Sequence, residues 1–273
     1  MYMQFSVLIS VYIKDNPEYL KEALDSVINQ TVMPSEIVLI KDGELTDKLE
    51  EVISKFVDCN PNLFKVIGYE VNKGLGYALK IGVEECSYDI IARMDSDDIC
   101  REDRFEKQLS VLKHDASIGI VGSNISEFEV NKDNIVSIRK VPSDNESIIR
   151  YAKKRNPFNH MSVMYRKKEV LDAGNYKEFL WNEDYYLWVR MILNKCQCAN
   201  IEENLVYARV GKAMFERRGG IKYAINDIKL QREFKRLNFI NYYQVILNTI
   251  LRNIVRLMPN NMRRMIYIKI LRT

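Results

Sequence analysis

The sequence predicts an α/β protein, with a mostly parallel sheet flanked by helices and a basic, amphipathic helical extension after it. Up to Asp98, strand-like and helix-like segments alternate along the chain, and this alternation is typical of a doubly wound parallel sheet. The strand-like segments are continuous apolar runs, as expected for strands that are covered on both faces. Residues 211–273 differ in composition, because they carry 14 Lys and Arg but only 3 Asp and Glu.

The first three strands are predicted from β-branched and apolar runs at residues 5–12, 36–43 and 64–69. A helix follows the first strand, where Asn16 can cap it and Pro17 fits its first turn. Thr46 can cap a second helix after the second strand. The loop at 72–82 bears glycines and leads into a third helix, but it lacks the spacing of the two common phosphate-binding glycine motifs and is a weak signal by itself.

The fourth strand, at 90–94, ends in a concentrated group of acids. Asp95, Asp97 and Asp98 follow it, and like charges this close repel one another unless a cation lies between them. Asp95 and Asp97 point the same way in an extended chain. Ligands of open α/β sheets often bind at the carboxyl ends of the strands. The sequence therefore predicts a Mg2+ or Mn2+ site, placed where the cation could hold a diphosphate.

The acidic group alone leaves a second interpretation open, which is a solvated turn that caps the helix after it. An EF-hand loop does not fit, because counting from Asp95 its required glycine would be Cys100. A phosphatase with an aspartate nucleophile also begins with a strand followed by Asp-x-Asp, but the sequence shows no convincing partner motif for that chemistry.

The second half of the chain predicts further elements around two more acids. The predicted elements are a helix at 101–112, a core strand at 118–122, a hairpin at 126–141 with its turn at 131–134, a helix at 181–193 and a last strand at 205–210. Residues 143–146, from Ser143 to Glu146, fit a capping box for one more helix. Glu183 and Asp184 lie in the opening turn of the helix at 181–193.

Composition excludes several classes of protein. Hydrophobic residues make up 47% of the 273 residues, which is enough for a substantial core. The five cysteines form no CxxC pair and the chain has two histidines, so a zinc site is not convincing. Scattered thiols in odd number indicate a reducing cytoplasm. The first residues lack the basic region of a signal peptide and match a strand instead.

The carboxyl-terminal residues predict helices at a surface. Apolar residues recur there at helical spacing, at Phe239, Tyr242, Tyr243, Ile246, Ile250, Ile254 and Leu257. Polar residues interrupt this run too often for a span of about 20 apolar residues across a bilayer. With Arg252 and Arg256 beside it, the pattern is typical of interfacial helices on anionic lipid. The alternative is a helical pair packed on the rest of the chain or on a second subunit. No nucleic-acid-binding module is recognisable in this basic segment.

Five motifs, in this order, resemble those of family 2 glycosyltransferases of the GT-A fold. They are Ser-Val-Leu-Ile-Ser-Val-Tyr at 6–12, Ile-Val-Leu-Ile-Lys-Asp-Gly at 37–43, Asn-Lys-Gly-Leu-Gly at 72–76, Ala-Arg-Met-Asp-Ser-Asp-Asp at 92–98, and Asn-Glu-Asp-Tyr-Tyr-Leu-Trp at 182–188. Each is common alone, whereas their order is specific. The resemblance implies a Rossmann-like GT-A catalytic domain at 1–220, with the helical extension at 221–273. The chain lacks the QxxRW motif of processive members, which implies transfer of one sugar at a time.

On the donor side, the resemblance assigns the nucleotide to the ends of the first two strands. Val11 and Tyr12 would seat the uracil ring of a UDP-sugar. Asp42 would accept the uracil N3 proton, although an Asp before Gly43 can also simply form a turn. Lys73 would lie where the glycine-bearing loop passes the nucleotide.

The diphosphate is assigned to the end of the fourth strand. Arg93 could pair with a phosphate. By resemblance Asp95 would hold the ribose, and Asp97 would bind Mn2+ or Mg2+ bridging the diphosphate. Such a cation would offset the charge that develops on the leaving UDP.

On the acceptor side, Asp184 is the predicted general base, because a partly desolvated carboxylate near Trp181 and Trp188 can take the proton of the attacking hydroxyl. Glu183 is the neighbouring alternative, with a role in orienting the acceptor. A plain first-turn acid that interacts with the helix dipole remains the other interpretation of Asp184.

Four further residues are assigned to acceptor or diphosphate contacts. His160 matches a loop that lines the acceptor side in similar proteins, although a lone His is more often structural. Trp181 would flank the acceptor. Arg217 and Arg218 match a basic lid over the diphosphate, with a basic membrane-facing surface as the alternative.

The resemblance therefore implies an inverting, metal-dependent transferase in bacterial capsule, O-antigen or exopolysaccharide assembly. One base and one metal-bound leaving group imply a single displacement. The implied acceptor is a saccharide linked to a lipid such as undecaprenyl diphosphate, which places the protein peripherally on the cytoplasmic face of the membrane. A non-catalytic nucleotide-sugar-binding scaffold and a homodimer contact through the tail are the alternatives.

Overall fold

The computed structural model describes residues 3–211, 219–259 and 262, and it begins with the parallel half of one sheet. The four strands of this half are β1 (Ser6–Val11), β2 (Glu36–Asp42), β3 (Phe64–Tyr69) and β4 (Ile90–Met94). They lie in the order β3-β2-β1-β4, and every neighbouring pair is parallel. The four strands predicted from the sequence are thus confirmed.

Three helices connect these strands. They are α1 (Pro17–Ile28), α2 (Asp47–Cys59) and α3 (Leu75–Glu85). Asn16 caps α1 by accepting a hydrogen bond from the backbone of Glu18, and Thr46 caps α2 by accepting one from Leu49. Both caps are the ones expected from the sequence, because a short polar side chain satisfies an amide that the first helical turn leaves without a partner.

The alternation of side chains along β1 builds the core on both faces of the sheet. Val7 and Ile9 point to one face, where α1, α2 and the later helix α4 (Arg104–His114) cover them. Leu8 points to the other face, which α3 and the carboxyl-terminal half of the chain cover. Buried on both sides, β1 is the central strand, and the crevice where strand order reverses lies at its carboxyl end, between β1 and β4.

The second half of the sheet is mixed. Its strands are β5 (Ile99–Cys100), β6 (Ile118–Phe128), β7 (Ile135–Arg139), β8 (Met164–Arg166) and β9 (Gln197–Arg209). They continue the sheet from β4 in the order β8-β6-β9-β5, with β7 paired to β6 in the predicted hairpin. β6 and β9 are longer than the apolar runs that predicted them. The two strands pair in parallel, and the pairing continues through several register shifts beyond those runs. The sequence did not predict β5, which has two residues.

The helices of the second half pack around β8 and β9. They are α5 (Asn145–Ala152), α6 (Lys167–Asp172) and α7 (Glu183–Leu193), and a 3-10 turn covers His160–Ser162. The capping box predicted from Ser143 is wrong by one residue. Asp144 caps α5 instead, by accepting a hydrogen bond from the backbone of Ser147.

The chain continues into a helical pair, α8 (Ile221–Arg236) and α9 (Tyr242–Leu257). Leu230 and Phe234 of α8 are fully buried in the same core as α7. Asp227 of α8 is 1% exposed and forms ion pairs with Arg252 (2.7 Å) and Arg256 (2.9 Å) of α9. The two arginines that the sequence pattern assigned to a lipid surface therefore hold the two helices together. The boundary at residue 220 stays a prediction.

The outer face of α9 is an apolar stripe. We use this name for Tyr242, Tyr243, Ile246, Leu247, Ile250, Leu251 and Ile254, all of which are at least 38% exposed. Phe239, which the sequence pattern placed with them, is buried instead. Within the described ranges, the helices are all too short or too polar to cross a membrane.

Candidate functional site

The acids that follow β4 form a compact cluster, which we call the acidic turn (residues 95–98). One carboxylate oxygen from each of Asp95, Asp97 and Asp98 lies within 4.8 Å of the others. β4 is buried on both faces and hydrogen-bonds to β1 and β8, which fixes the point at which these carboxylates leave the sheet. The structure therefore brings together the three acids that the sequence singled out.

A fourth carboxylate, Asp15, joins the acidic turn and was missed in the sequence. It lies just beyond the end of β1, and its Oδ2 accepts hydrogen bonds from the hydroxyl of Ser96 (2.7 Å) and the backbone of Tyr12 (3.2 Å). Burial, together with the nearby Asp95, raises the pKa of Asp15 to about 6. An acid just past the end of the central strand was the available signal, since the carboxyl ends of β1 and β4 meet at one edge.

The acidic turn is short of positive charge. Desolvation and the carboxylates of Asp95 and Asp15 raise the pKa of Asp97 to about 7, although its side chain keeps an open edge to solvent. Burial and the carboxylates of Asp97 and Asp95 raise the pKa of Asp98 well above its usual range. The Oδ2 atom of Asp98 is buried and has no hydrogen-bond partner among the described residues. These oxygens fit a hard divalent cation, which would both neutralise the group and occupy the orphaned oxygen.

Arg93 is the cation closest to this group. Its side chain is almost fully buried and pairs with Asp95, while its Nε and Nη1 atoms have no partner among the described residues. A buried guanidinium that leaves donors unused is costly unless a ligand completes it. Arg93 therefore lies where the sequence placed it, with donors available for an anionic ligand.

Asp42 organises the glycine-bearing loop. Its carboxylate accepts hydrogen bonds from the Tyr69 hydroxyl (2.8 Å), the Asn72 amide (3.0 Å) and the backbone of Lys73 (2.8 Å). Gly43 makes this possible, because its φ of +90° favours glycine and an added Cβ would lie 2.7 Å from the backbone nitrogen of Asn72. Since a carboxylate has about four acceptor positions, Asp42 keeps capacity for one more donor.

The predicted uracil-binding residues lie at the carboxyl ends of β1 and β2. Val11 is buried at the end of β1, and Tyr12 follows it at the surface with 36% of its area exposed. The Lys73 ammonium lies over the ring of Tyr77, 4.5 Å from its centroid. An aromatic side chain, Tyr12, and a cationic one, Lys73, thus lie near the carboxyl ends of β1 and β2.

The second acid pair opens α7. Asp184 accepts a hydrogen bond from the amide of Asn156 (2.6 Å), and burial raises the pKa of its carboxyl group. Burial raises the pKa of Glu183 to about 7. Glu183 packs so closely on α3 that a Cβ added to Gly76 would lie 2.8 Å from its Cγ. α7 and the glycine-bearing loop are thus in contact, which places these acids beside the predicted nucleotide side.

His160 is packed among aromatic side chains. Its Nε2 is 3.1 Å from the Tyr176 hydroxyl, and its ring lies against Trp188. Burial, with a smaller effect of Arg93, lowers the pKa of His160 well below its usual range. The imidazole is therefore neutral near pH 7. Its place near Arg93 agrees with an acceptor-side position, and its packing agrees equally with a structural one.

Trp181 has a contact that the sequence did not indicate. Its ring stacks on Tyr223 of α8 with the centroids 4.8 Å apart and the planes 2° from parallel. The guanidinium of Arg256 lies on Tyr223 as well, 4.3 Å from the ring centroid. Trp181 thus joins the start of α7 to the helical pair, and its acceptor contact stays a prediction. Arg217 and Arg218 lie outside the described residues.

Comparison with known sequences identifies the family of the chain. The family model of glycosyl transferase family 2 matches residues 6–174. A UDP-Gal:alpha-D-GlcNAc-diphosphoundecaprenol beta-1,3-galactosyltransferase of Escherichia coli is 43% identical, and the alignment covers 98% of this chain and 97% of that protein. The amylovoran biosynthesis glycosyltransferase AmsE of Erwinia amylovora is 36% identical over 97% of this chain and 98% of its own length.

Two solved structures share the fold. The S. aureus protein TarS, residues 1–349 in complex with UDP-GlcNAc, has a TM-score of 0.65 at 18% identity, covering 85% of this chain and 66% of that one. The mannosyltransferase PcManGT from Pyrobaculum calidifontis, in complex with GDP-Man and Mn2+, has a TM-score of 0.64 at 13% identity, covering 88% and 66%. At these identities the likeness confirms the GT-A architecture alone.

Proposed function

Because the chain belongs to glycosyl transferase family 2 and is a glycosyltransferase, we propose that it transfers one hexose or N-acetylhexosamine from a UDP-sugar to a lipid-linked saccharide. The E. coli relative is named for UDP-galactose and a diphosphoundecaprenol-linked acceptor, so UDP-galactose is the first donor to test. The observation that carries the proposal is that both acid groups lie near the buried Arg93, which pairs with Asp95 of the acidic turn and whose charge also acts on Asp184 at the start of α7.

The donor half of the site binds the nucleotide. Val11 and Tyr12 receive the uracil ring, and the remaining acceptor position of Asp42 takes its N3–H. Lys73 lies beside the nucleotide from the loop that Asp42 holds in place. Arg93 has unused donors for the diphosphate, and Asp95 is within reach to hold the ribose.

A divalent cation completes the donor half. GT-A glycosyltransferases commonly use one, and a structural neighbour contains Mn2+. The orphaned oxygen of Asp98 and the raised pKa of Asp97 fit that cation, with Asp97 as the principal ligand. When bound, Mn2+ or Mg2+ supplies charge neutralisation for the departing UDP.

The acceptor half removes a proton. The acceptor hydroxyl oxygen forms a bond to the anomeric carbon while the bond from that carbon to the UDP oxygen breaks, and the hydroxyl proton passes to the Asp184 carboxylate. A partly desolvated carboxylate with a raised pKa suits this role. Asn156 holds Asp184 in one orientation, and Glu183 with His160 orients the acceptor. A single displacement inverts the anomeric centre.

A membrane surface is the proposed location of the acceptor. The apolar stripe of α9 is exposed over most of the helix length, and α8, which packs against α9, exposes Lys222, Lys229, Arg232 and Arg236. An apolar face next to cationic side chains is the composition of helices that lie in a bilayer interface. This supports a peripheral protein on the cytoplasmic face of a bacterial membrane, acting in surface-polysaccharide assembly.

Calorimetry and product analysis test the catalytic proposal. UDP should bind more tightly with Mn2+ than without it, and UDP-galactose with a diphospholipid-linked GlcNAc acceptor should give an inverted, β-linked product. Asp184→Asn should keep UDP binding and lose transfer, while Glu178→Gln, a change at an exposed acid near α7, should keep both. UDP binding with no transfer from any UDP-sugar would favour the scaffold interpretation.

Vesicle flotation tests the membrane proposal. The double variant Ile246→Ser/Ile250→Ser should lose binding to vesicles of phosphatidylethanolamine and phosphatidylglycerol. The control variant Val130→Ser/Leu171→Ser removes exposed apolar residues far from α9 in sequence and should float like the unmodified protein. Concentration-dependent dimerisation that the stripe variant abolishes, without any vesicle binding, would assign α9 to a second copy of the chain.

A further inference from the structure

Arg209, the last residue of β9, contacts the acidic turn through its backbone and its side chain. Its backbone N–H donates to Oδ1 of Asp98 (2.7 Å), and its Nε donates to the backbone carbonyl of Asp97 (3.1 Å). No local sequence pattern pointed to this residue, since 111 positions separate it from Asp98.

The guanidinium of Arg209 contacts two aromatic rings and one carboxylate. It lies 3.8 Å from the ring centroid of Tyr19 and 4.6 Å from that of Phe128, so it is sandwiched between two aromatic faces. Its Nη2 forms an ion pair with Glu22 of α1, and its side chain is 8% exposed. A planar cation stacked in this way has little freedom to move, so the Asp97 carbonyl that it holds is also fixed.

The ion pair of Arg209 is with Glu22 of α1 and not with a carboxylate of the acidic turn. The contacts of Arg209 with the acidic turn are one backbone carbonyl and one carboxylate oxygen bound by a backbone N–H. The Oδ2 atom of Asp98 is left without a hydrogen-bond partner among the described residues, and Arg209 contacts Asp97 at its backbone carbonyl. A positioning group that leaves ligand oxygens free is what a preorganised cation site requires.

We propose that Arg209, neutralised by Glu22 and clamped by Tyr19 and Phe128, is a positioning residue that presets the acidic turn for a divalent cation. The inference rests on the proposed function, because it assumes that a cation binds there with UDP. It adds a partner network from α1, β6 and β9 that none of the five sequence motifs contains.

Two variants separate positioning from packing. Arg209→Met keeps much of the volume between the two aromatic rings, but it loses the hydrogen bond to the Asp97 carbonyl and the ion pair with Glu22. It should weaken Mn2+ binding in the presence of UDP by about 10- to 100-fold, the usual effect of losing an outer-shell partner. Glu22→Gln leaves Arg209 in place but removes its counter-charge, so the uncompensated cation near the acids should weaken Mn2+ binding several-fold. A merely structural Arg209 would not respond to Glu22→Gln, because Glu22 is exposed.

Arg101→Gln is the matched control. Arg101 is a nearby arginine that forms ion pairs with Asp103 and Glu203. Among the described residues, it forms no ion pair with the acidic turn. Mn2+ affinity is read by electron paramagnetic resonance of free Mn2+ and by calorimetry of UDP, and thermal unfolding confirms that each variant is folded.

The expected result is weaker Mn2+ binding in Arg209→Met and Glu22→Gln and unchanged binding in Arg101→Gln. Unchanged Mn2+ affinity in both test variants would overturn the inference while leaving the proposed function intact. Absence of Mn2+ binding in the unmodified, folded protein would overturn both, and equal weakening in Arg101→Gln would reduce Arg209 to a general stabilising contact.

Discussion

Two groups of acids in this molecule are built in opposite ways. In the helical pair, Asp227 is fully buried and has two arginines on its carboxylate, Arg252 and Arg256. At the crevice between β1 and β4, four carboxylates lie close together, and among the described residues one of them, Asp95, forms an ion pair, with Arg93. The first group balances its charge within the chain, whereas the second is left with excess negative charge.

The difference separates structural acids from functional ones. A buried carboxylate that serves the fold needs its counter-charge in the chain, because an uncompensated buried charge is strongly destabilising. The acidic turn instead pushes the pKa of Asp97 to about 7 and that of Asp98 well upward. Its charge is balanced when something from solution binds, so affinity for a cation is gained at the expense of stability in its absence.

The largest expected effect lies at the acidic turn. Asp97→Asn should lower the transfer rate by roughly a thousandfold or more, since a catalytic cation contributes several kcal/mol to the barrier. The same change should leave the melting temperature unchanged or raise it, because it relieves repulsion. Initial rates and thermal unfolding measure the two effects. Asp89→Asn, at an exposed acid just before β4, should change neither, and a normal rate for Asp97→Asn would remove the acidic turn from catalysis.

Asp227 should show the opposite profile. Asp227→Asn leaves Arg252 and Arg256 without their partner and should destabilise the protein by about 3–5 kcal/mol in denaturant unfolding. The transfer rate of the protein that remains folded should be unchanged with a water-soluble acceptor. Replacing all three residues by leucine should restore most of the lost stability. If the triple variant is as unstable as Asp227→Asn, the ion pairs are not the cause.

The third effect is linkage between Mn2+ and protons. The raised pKa of Asp97 means that the folded protein retains a proton that the unfolded chain releases near its ordinary pKa of 3.8. This contribution to stability is present at low pH and is lost as pH rises through about 7. Protons therefore compete with the cation below pH 7, and Mn2+ should raise the melting temperature by several degrees more at pH 8 than at pH 6.

The effect of His160 on stability has the opposite sign. Its pKa is lowered in the folded protein, so the unfolded chain takes up a proton first and stability falls as pH drops below the ordinary pKa of His. The Mn2+ comparison should therefore be repeated with Asp97→Asn, in which His160 is unchanged. Because that variant lacks the proposed principal ligand, its Mn2+ shift in melting temperature should be small at both pH values. An equal Mn2+ shift at both pH values in the unmodified protein would contradict the assignment of Asp97 as a ligand.

Asp42 represents a third arrangement, a buried carboxylate held by neutral donors, and its expected effect is the smallest. Tyr69→Phe removes one of its hydrogen bonds and leaves those from Asn72 and Lys73. The loss should be about 0.5–1.5 kcal/mol of stability, with UDP affinity changed by roughly two- to tenfold. Calorimetry of UDP measures it. A complete loss of UDP binding would mean that Tyr69 itself contacts the nucleotide.

Local sequence was sufficient for the parallel half of the fold. β1 to β4 are apolar runs joined by three helices, of which α1 and α2 have side-chain caps, and a doubly wound order leaves few ways to arrange them. Local sequence was insufficient where long-range pairing decided the outcome. β5 has two residues and exists because β9 pairs with it, and the length of β9 depends on β6.

The same distinction applies to the candidate site. The acids of the acidic turn and of α7 are adjacent in sequence, so each pair is visible as a motif. Asp15 and Arg209 reach the acidic turn from distant positions, through Ser96 and through the backbone of Asp97. A sequence cannot show such contacts, because no local spacing relates the partners. The roles assigned by resemblance to Val11, Tyr12 and Asp184 stay predictions until a ligand is bound.

The tail shows why an amphipathic pattern alone does not assign its charges. Arg252 and Arg256 lie one turn apart and match a lipid-facing cationic side as well as an internal ion pair. The buried Asp227, 25 and 29 residues earlier, decides between the two. It also fixes the rotation of α9, and the apolar stripe faces outward as a result.

The stacking of Trp181 on Tyr223 has a mechanical consequence. α8 shares a core with α7, and this stack ties the helical pair to the segment that leads into Glu183 and Asp184. The helical pair and the acceptor-side acids are therefore packed together in one unit. If α9 rests on a membrane, the height of Asp184 above the lipid is set by the protein and does not vary with hinge motion. Such a fixed height would act as a ruler, which accepts saccharides whose reactive hydroxyl reaches that level and passes over shorter or longer ones.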